Sequence, residues 1–490
     1  MWDSQQIAQI LKGELQGSPQ AKVWGGAIDS RQVGEGQLFF ALEGERVDGH
    51  DYLEAAWEKG ASICIGERER LQERAPVVVP QGKALIIVDS TLEAVQELAR
   101  IRRQELGAKV IGITGSNGKT TTKDMVASVL AQKYRVHKNL ENQNNELGLP
   151  LTILNAPQDT EILVLEMGMR GLKQIAFLCT IAKPDLGIIT NIGTTHLELL
   201  GSQENIARAK WELIEALPLD GKGIINSEDE WSVKLAQKFS LESSQESSNK
   251  MPQEKVFFFF YGLEGKYQKP DLQGDELKPW GILGTDFVAK YQNTPTGQKV
   301  KLPLPGDHNV LDALAALSAG FLLGVSLEEG ALGLEEMELS PMRLELQKGL
   351  NNSSLISDVY NANPASMIAS LKILKERGGS HTLAILGDMY ELGDSASEGH
   401  YAVGRMVAEL GIKELITVGP LAQEIARGAK DHGMDSSLIT TVREREEGIA
   451  KARQILANKP ETWVLIKASR GMKMEEVTKA LQEGLEKRKE

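Results

Sequence analysis

A lysine and three threonines end a glycine-containing turn in "VIGITGSNGKTTTKDMVASVL", residues 110–130. The run at 109–114 is apolar and rich in β-branched residues, and Met125, Val129 and Leu130 carry helical spacing. "GSNG" therefore reads as a strand-to-helix turn. Glycines there let backbone N–H groups converge on an anion without interference from a Cβ. The helix that follows brings the positive end of its dipole to the same point. Lys119 adds a charge, and Thr120 a hydroxyl able to ligate Mg²⁺. Gly115, Ser116, Asn117, Gly118, Lys119, Thr120 and Thr121 are the expected phosphate cradle. Ile113 stands where the full G-x-x-x-x-G-K-[ST] pattern has its first glycine, and Gly115 comes two residues later. The alternative is an ordinary strand–helix turn with a chance Lys-Thr. The cradle points to a nucleotide without specifying the reaction.

Other residues fall where they could serve such a cradle. Glu166 ends the apolar run "EILVLEM", and His196 lies just past "DLGIIT" in "NIGTTHLELLGS". In an open parallel sheet both reach the carboxyl edge of the strands, where the glycine turn also sits. Carboxylate oxygen suits Mg²⁺, and a neutral imidazole can complete a shell; a structural histidine is the alternative. Lys210 stands out in "SQENIARAKWELIEALP". Ser202 is a candidate N-cap, and Ile206, Leu213, Ile214 and Leu217 form an apolar stripe. Lys210 falls inside that stripe, where a charge is costly unless paired or modified. A lysine snorkelling past the stripe explains the same pattern.

These residues need rigid strands and helices to hold them. The 490-residue chain is long enough for several domains with their own cores. Its 25% charged and 41% hydrophobic composition is that of a globular protein. A net charge of −13 argues against a nucleic-acid partner, although a local pocket can still attract an anion. Cys64 and Cys179 are far apart in apolar runs and read as buried, reduced thiols. "MWDSQQIAQILKG" lacks the pattern of a signal peptide, and no apolar run is long enough to span a bilayer. A cytoplasmic protein without a membrane anchor is the expectation.

Three α/β segments are expected, at 1–106, 107–328 and 329–490. The first alternates "GQLFFAL", "ASICIG" and "ALIIVDS" with helices, ending in "TLEAVQELARIRRQEL". The second is a parallel sheet with helices on its faces. It is interrupted near 240–255 by a polar stretch that reads as a surface loop, and resumes with "VFFFFYG" and later "HNVLDALAALSAGFLLG". The third repeats the alternation with "LISDVY", "TLAILGDM", "ELITVGP" and "WVLIKAS".

The ordered set "TGSNGKTTTKDM", "NLENQNNELGLPLTIL", "NIGTTHLELLGS", "ARAKWELIEAL", "GDHNVLDALAAL", "MRLE", "DVYNANPASM", "LGDMYELG" and "ASRGMKME" resembles the Mur ligases, ATP-dependent amide-forming enzymes of peptidoglycan precursor synthesis. "DSRQVGEGQLFFALEGERVDGHDY" resembles their UDP-sugar-binding domain, so the likeness spans nearly the whole chain. It implies a UDP-sugar-binding domain, a central P-loop parallel-sheet ATPase domain, and a C-terminal Rossmann-like domain that closes on ATP about a hinge near 325–342. The motifs are most similar to the member that adds D-alanyl-D-alanine to UDP-N-acetylmuramoyl-tripeptide. "YNANP" lacks the His that relatives usually carry at the position of Asn361 or Ala362, and no "DNPR"-type signature is present.

The resemblance also implies roles. Lys119, His196, Lys210 and Arg343 would be catalytic. Thr120, Glu166, His196 and Lys210 would hold two Mg²⁺, with Lys210 carbamylated as in related ligases. Asn309 would face adenine, Arg343 the γ-phosphate, and Asp358 the ribose or a metal-bound water. Ser30 and Arg31 would contact the UDP-sugar, and Asn361 and Asn363 the dipeptide. A monomer using ATP and Mg²⁺ is expected. In isolation, "DHN" reads equally as a helix cap, "NANP" as a turn and Arg343 as an interdomain ion pair. A sister ligase with another amine, or a P-loop NTPase switch, are the competing functions.

Overall fold

The structure is a computed structural model that describes residues 2–44, 47–140, 143–245, 256–280, 284–292, 294, 296–338 and 342–482. Among these residues the chain builds three main sheets in sequence. In the first, Glu14–Gly17 pairs antiparallel with Ala84–Val88, and Ile63–Glu67, Leu38–Phe40 and Gly26–Ala27 continue the sheet in parallel. Helix Thr91–Leu106, capped by Ser90, leads out of it. The central sheet has nine strands. The C-terminal sheet has six, of which only Glu345–Lys348 at its edge is antiparallel to its neighbour. Helices cover these parallel sheets, the α/β architecture the strand–helix alternation predicts.

The middle of the central sheet sets the geometry that matters. Strand Lys109–Thr114 lies between Ile162–Glu166 and Leu186–Ile189, all parallel. All three are buried nearly throughout, as near-continuous apolar runs require in a doubly covered sheet. Glu166 is in register with Ile113, and Ile189 with Thr114. The glycine turn, Glu166 and the loop leading to His196 therefore leave the sheet side by side. The helix bearing Lys210, Gln203–Glu215, sits close to the sheet because Gly112 and Gly187 lack side chains under Leu213. A Cβ on Gly112 would come 2.6 Å from Leu213 Cδ1.

One feature goes beyond the sequence reading and one differs from it. The short strand-like runs between "VFFFFYG" and "KLPLPG" are strands, and the sequence leaves their direction open. Leu272–Trp280, Gly284–Tyr291 and Gln298–Leu302 form an antiparallel extension at one edge. The polar stretch near 240 is helical up to its middle, since helix Glu230–Gln245 runs through residues placed in a loop. Its serines and glutamates resemble loop composition, but the helix is anchored on the core by Val233 and Ala236. Residues 246–255 of that stretch, and 339–341 of the expected hinge, lie outside the described residues. No helix among the described residues is long and apolar enough to cross a membrane.

Cys64 and Cys179 are both buried and unpaired, as expected. Burial raises both thiols, Cys179 to about 12. The first sheet is also joined directly to the central segment, through the C-cap of helix Gly148–Leu154. Asn155 Nδ2 donates to Gly26 O at 2.9 Å, and Gly26 N donates back to Asn155 Oδ1 at 2.8 Å.

Leu213 is fully buried. Leu213→Ala should cost about 2–5 kcal/mol through lost burial and a cavity the sheet cannot close. The check is thermal unfolding followed by tryptophan fluorescence, which should show a clearly lowered midpoint; an unchanged midpoint would contradict this packing.

Candidate functional site

The loop at 115–118 is shaped by its neighbours. Gly115 has φ +156°, and a Cβ there would lie 1.8 Å from Thr190 Oγ1, so no side chain fits. Ser116 N donates to Asn191 O at 2.9 Å, and Asn117 N to Asn191 Oδ1 at 3.0 Å. Ser116 Oγ accepts from Gly193 N at 2.8 Å. Helix Lys119–Ala131 then starts at once, with Gly118 as its left-handed N-cap. Lys119 Nζ curls back to Gly115 O at 2.8 Å. Burial pushes the Lys119 ammonium below the usual lysine range, while Glu166 pulls the other way.

Thr120 is the meeting point. Its hydroxyl donates to Glu166 Oε2 at 2.7 Å. It also accepts from Arg343 Nη2 at 2.7 Å, and Arg343 precedes the C-terminal sheet by one turn of chain. The Arg343 guanidinium lies 4.2 Å from the centre of the Tyr360 ring, and its Nε is buried with no partner among the described residues. A planar cation held this way has donors left for an anion at the loop.

A single cavity of about 1520 Å³ is lined by the loop residues 115–121, Glu166, His196, Lys210, Asn309, Arg343, Asp358, Asn361 and Asn363. The sequence-selected residues of the central and C-terminal segments are therefore brought together. Ser202 caps the Lys210 helix by accepting from Asn205 N, as expected, and Lys210 is 2% exposed on it. Burial, then the nearby Lys119, hold its amine well below the usual range. His196 adopts φ +68°, and its Nδ1 lies 3.0 Å from Glu391 Oε2 of the C-terminal segment.

The remaining selected residues are placed as follows. Asn309 donates from Nδ2 to Pro305 O at 2.7 Å. Asp358 Oδ2 is held by Lys467 Nζ at 2.5 Å and Ser370 Oγ at 2.8 Å. Burial pushes that carboxyl up, but Lys467 and the hydrogen bonds bring it below its ordinary value. Asn361 Oδ1 accepts from Ala362 N. Asn363 caps helix Pro364–Gly378, and its Nδ2 donates to Asn117 Oδ1 at 2.6 Å, tying the C-terminal segment to the phosphate loop. Ser30 and Arg31 are outside the cavity lining; Arg31 is 86% exposed and paired with Asp29 at 2.8 Å.

Several contributors were not selected from sequence. Asn139, fully buried, clasps the backbone of Glu166 from both sides, accepting from Glu166 N at 2.9 Å and donating to Glu166 O at 3.0 Å. It follows strand Val136–Lys138, which runs parallel beside Ile162–Glu166, so its side-chain amide continues the ladder where the backbone leaves. Asn144 Nδ2 donates to Glu166 Oε1 at 2.8 Å. The asparagine-rich "NLENQNN" was the visible signal. Lys467, Glu391 and Asp312 lay within noted segments but were not singled out, each being an ordinary charge in a strand, loop or helix.

The donors around Glu166 fit magnesium. No group of three or more His, Cys, Asp or Glu able to hold a metal occurs among the described residues. A single buried carboxylate beside a threonine hydroxyl suits an ion that takes its other ligands from phosphate oxygens and water.

The fold and the site together define a three-domain nucleotide-dependent enzyme whose phosphate loop is covered by an arginine from the C-terminal domain. Comparison with known proteins agrees. Residues 24–103 match the Mur ligase family catalytic domain, 113–320 the Mur ligase middle domain, and 342–470 the Mur ligase glutamate ligase domain. The UDP-N-acetylmuramoyl-tripeptide–D-alanyl-D-alanine ligase of Bacillus subtilis is 39% identical over 480 residues, covering 97% of each chain. The Escherichia coli ligase of the same name is 32% identical, with 98% of each chain covered. Among solved structures, MurF from Acinetobacter baumannii is similar with a TM-score of 0.82, 29% identity and 98% coverage of both chains. MurF from Thermotoga maritima in complex with ADP has a TM-score of 0.75 at 27% identity, covering 95% of this chain and 99% of that one. The chain belongs to the Mur ligase family.

Asp312 gives the site a pH signature. It is buried beneath the loop, accepts from Thr122 Oγ1 at 3.0 Å, and would lie 2.5 Å from a Cβ on Gly118. Burial pushes its carboxyl up to about 8, against the pull of Thr122 and Arg343. The folded chain thus keeps a proton that the unfolded chain releases near pH 4. The associated stability is full below about pH 4 and is lost as pH rises toward about 8. Asp312→Asn keeps the shape without the ionisation. Its melting temperature should exceed that of the parent by a gap that widens from about pH 5 to about pH 8. A constant or shrinking gap across a pH series of thermal melts would contradict the buried protonated carboxyl.

Proposed function

We propose that this chain joins D-alanyl-D-alanine to UDP-N-acetylmuramoyl-tripeptide at the expense of ATP. The observation that carries it is the Thr120 hydroxyl bridging Glu166 and Arg343, which sets a phosphate loop, a carboxylate and a cation from another domain on one spot.

A carboxylate is a poor acyl donor because oxide is a poor leaving group. In the first step a carboxylate oxygen of the tripeptide bonds to the γ-phosphorus as the bond to the ADP oxygen breaks. The protein positions the two and offsets charge with little covalent work of its own. Lys119 and the backbone N–H groups of 115–120 hold the phosphates, and Arg343 faces the transferred group with its free donors. In the second step the amine nitrogen of the dipeptide bonds to the acyl carbon. Phosphate leaves with the electron pair of the broken C–O bond, and the ammonium proton passes to solvent or a base. Closure of the C-terminal domain, tied down through Asn363 and Arg343, keeps water from the acyl phosphate.

Thr120, Glu166, His196 and Lys210 would hold two magnesium ions, which when bound neutralise phosphate charge. Asn309 and Asp358 lie on the nucleotide side, Asn361 and Asn363 toward the amine, and Ser30 and Arg31 at the UDP end of a long substrate. The protein acts as a monomer in the cytoplasm.

Incubation with ATP, UDP-N-acetylmuramoyl-tripeptide and D-alanyl-D-alanine should give, by mass spectrometry, the pentapeptide product with ADP and phosphate. Product with a different amine alone would point to a sister ligase, and ATP hydrolysis independent of any acyl acceptor to an NTPase switch.

Burial favours the neutral amine of Lys210, the form that attacks CO₂: its nitrogen bonds to the carbon, one C=O bond opens to an oxyanion, and a proton leaves. The product is a carboxylate-like ligand. Depleting CO₂ and bicarbonate should lower turnover, and added bicarbonate should restore it. Turnover indifferent to bicarbonate, with an unmodified Lys210 peptide by mass spectrometry, would remove the carbamate.

A further inference from the structure

The loops that follow strands Thr382–Gly387 and Trp463–Lys467 lie side by side, because those strands are parallel neighbours in the C-terminal sheet. They are stapled together through Tyr390. Its N donates to Ser469 Oγ at 2.8 Å, its hydroxyl reaches Met472 Sδ at 2.9 Å, and a Cβ on Gly471 would lie 2.9 Å from its ring. Next to the stapled residues in the chain stand a carboxylate, Glu391 after Tyr390, and a guanidinium, Arg470 after Ser469, both lining the large cavity. The carboxyl edge of an open parallel sheet is where such folds place ligands.

Of the other acids of that cavity, Glu93 and Glu146 stand on the first two segments, and three are engaged within the protein. Glu166 is held by Thr120 and Asn144, Asp358 by Lys467 and Ser370, and Asp312 lies under the loop against Thr122. Glu391 belongs to the C-terminal segment, is 41% exposed, and is steadied by His196 at 3.0 Å and Arg170 at 3.8 Å. Its backbone is left-handed at φ +61°, an unfavourable conformation for a non-glycine residue that is concentrated at ligand sites. Arg470 bonds Glu475 through Nη1 at 2.9 Å and is 51% exposed.

We infer that Glu391 and Arg470 bind the two charged ends of the amino substrate, Glu391 its ammonium and Arg470 its terminal carboxylate. The inference rests on the proposed function, which makes the amino substrate a zwitterionic dipeptide. Opposite charges on two loops clamped by one aromatic ring match a short ligand with opposite charges at its ends. Arginine suits a carboxylate through its planar fork. Placing Glu391 next to His196 also puts the ammonium end beside the phosphate loop, where the acyl carbon is attacked, and points the carboxylate end away from it.

The test compares the wild type with Glu391→Gln and Arg470→Ala in steady-state kinetics. Each variant should raise KM for D-alanyl-D-alanine about tenfold or more, as for loss of a charged hydrogen bond, with KM for ATP and for the UDP-sugar peptide nearly unchanged. Analogues separate binding from a structural role. D-alanyl-D-alanine amide lacks the terminal charge; the wild type should disfavour it, and Arg470→Ala should no longer distinguish it from the free acid. D-lactoyl-D-alanine lacks the ammonium; as a competitive inhibitor it should be disfavoured by the wild type and much less so by Glu391→Gln. Unchanged discrimination in either variant, or a KM change under about threefold, would overturn the assignment. Should the wild type use a different amine altogether, the proposed function fails by that result alone. The same KM comparison with that amine then still decides whether the two residues bind its charged ends.

Discussion

The hydroxyl of Thr120 is the constraint on which the rest of the structure depends. It sits between a buried acid on one strand end and a guanidinium from a domain more than two hundred residues further along the chain. A hydroxyl can donate once and accept from others, so it can satisfy both partners at once, and no apolar side chain could do so. That requirement fixes the order of strands in the central sheet. Glu166 must emerge next to the glycine turn, which the register of its strand with Lys109–Thr114 ensures. It also requires the C-terminal segment to come to the same edge, which Asn363 secures by reaching Asn117. Catalysis by positioning and charge needs this kind of rigidity more than it needs a reactive side chain.

The environment of each charged group explains how so acidic a chain can hold an anionic nucleotide. Lys119, Lys210 and Arg343 converge at one edge, and burial presses the two lysines toward neutrality. Bound phosphate would reverse that tendency at Lys119, because a neighbouring anion favours the ammonium. Lys210 is farther inside, packed on the stripe that Leu213 anchors, and its environment favours a neutral amine. Two lysines in one cavity are thus set to different chemistry by what surrounds them.

Much of this was legible from residue types and order. The glycine turn, Thr120, the odd position of Lys210 and its Ser202 cap are local patterns, and local patterns survive into the fold. What could not be read were contacts created by strand order. Asn139 looks like any loop asparagine until its strand is laid beside Ile162–Glu166, where it becomes the continuation of a ladder. Asp312 is one acid in an alanine-rich helix until Gly118 is found against it. Glu391 and Arg470 are brought together by neighbouring strands whose sequences are some eighty residues apart. The short strands after Leu272 were legible but their antiparallel pairing was not, because short strands carry no directional signal of their own. The helix through 240–245 was missed because its serines mimic a loop.

The two unpaired cysteines have a use that follows from where they lie. Cys64 is in the middle of the first sheet's core, and Cys179 is packed against Met167 in the central one. Because each thiol is both covered and resistant to ionisation, alkylating reagents reach it only when its own domain opens. The native chain therefore carries one built-in probe in each of its first two domains. Labelling rates at the two sulfurs would resolve whether the first and central units breathe together or apart, with no residue changed.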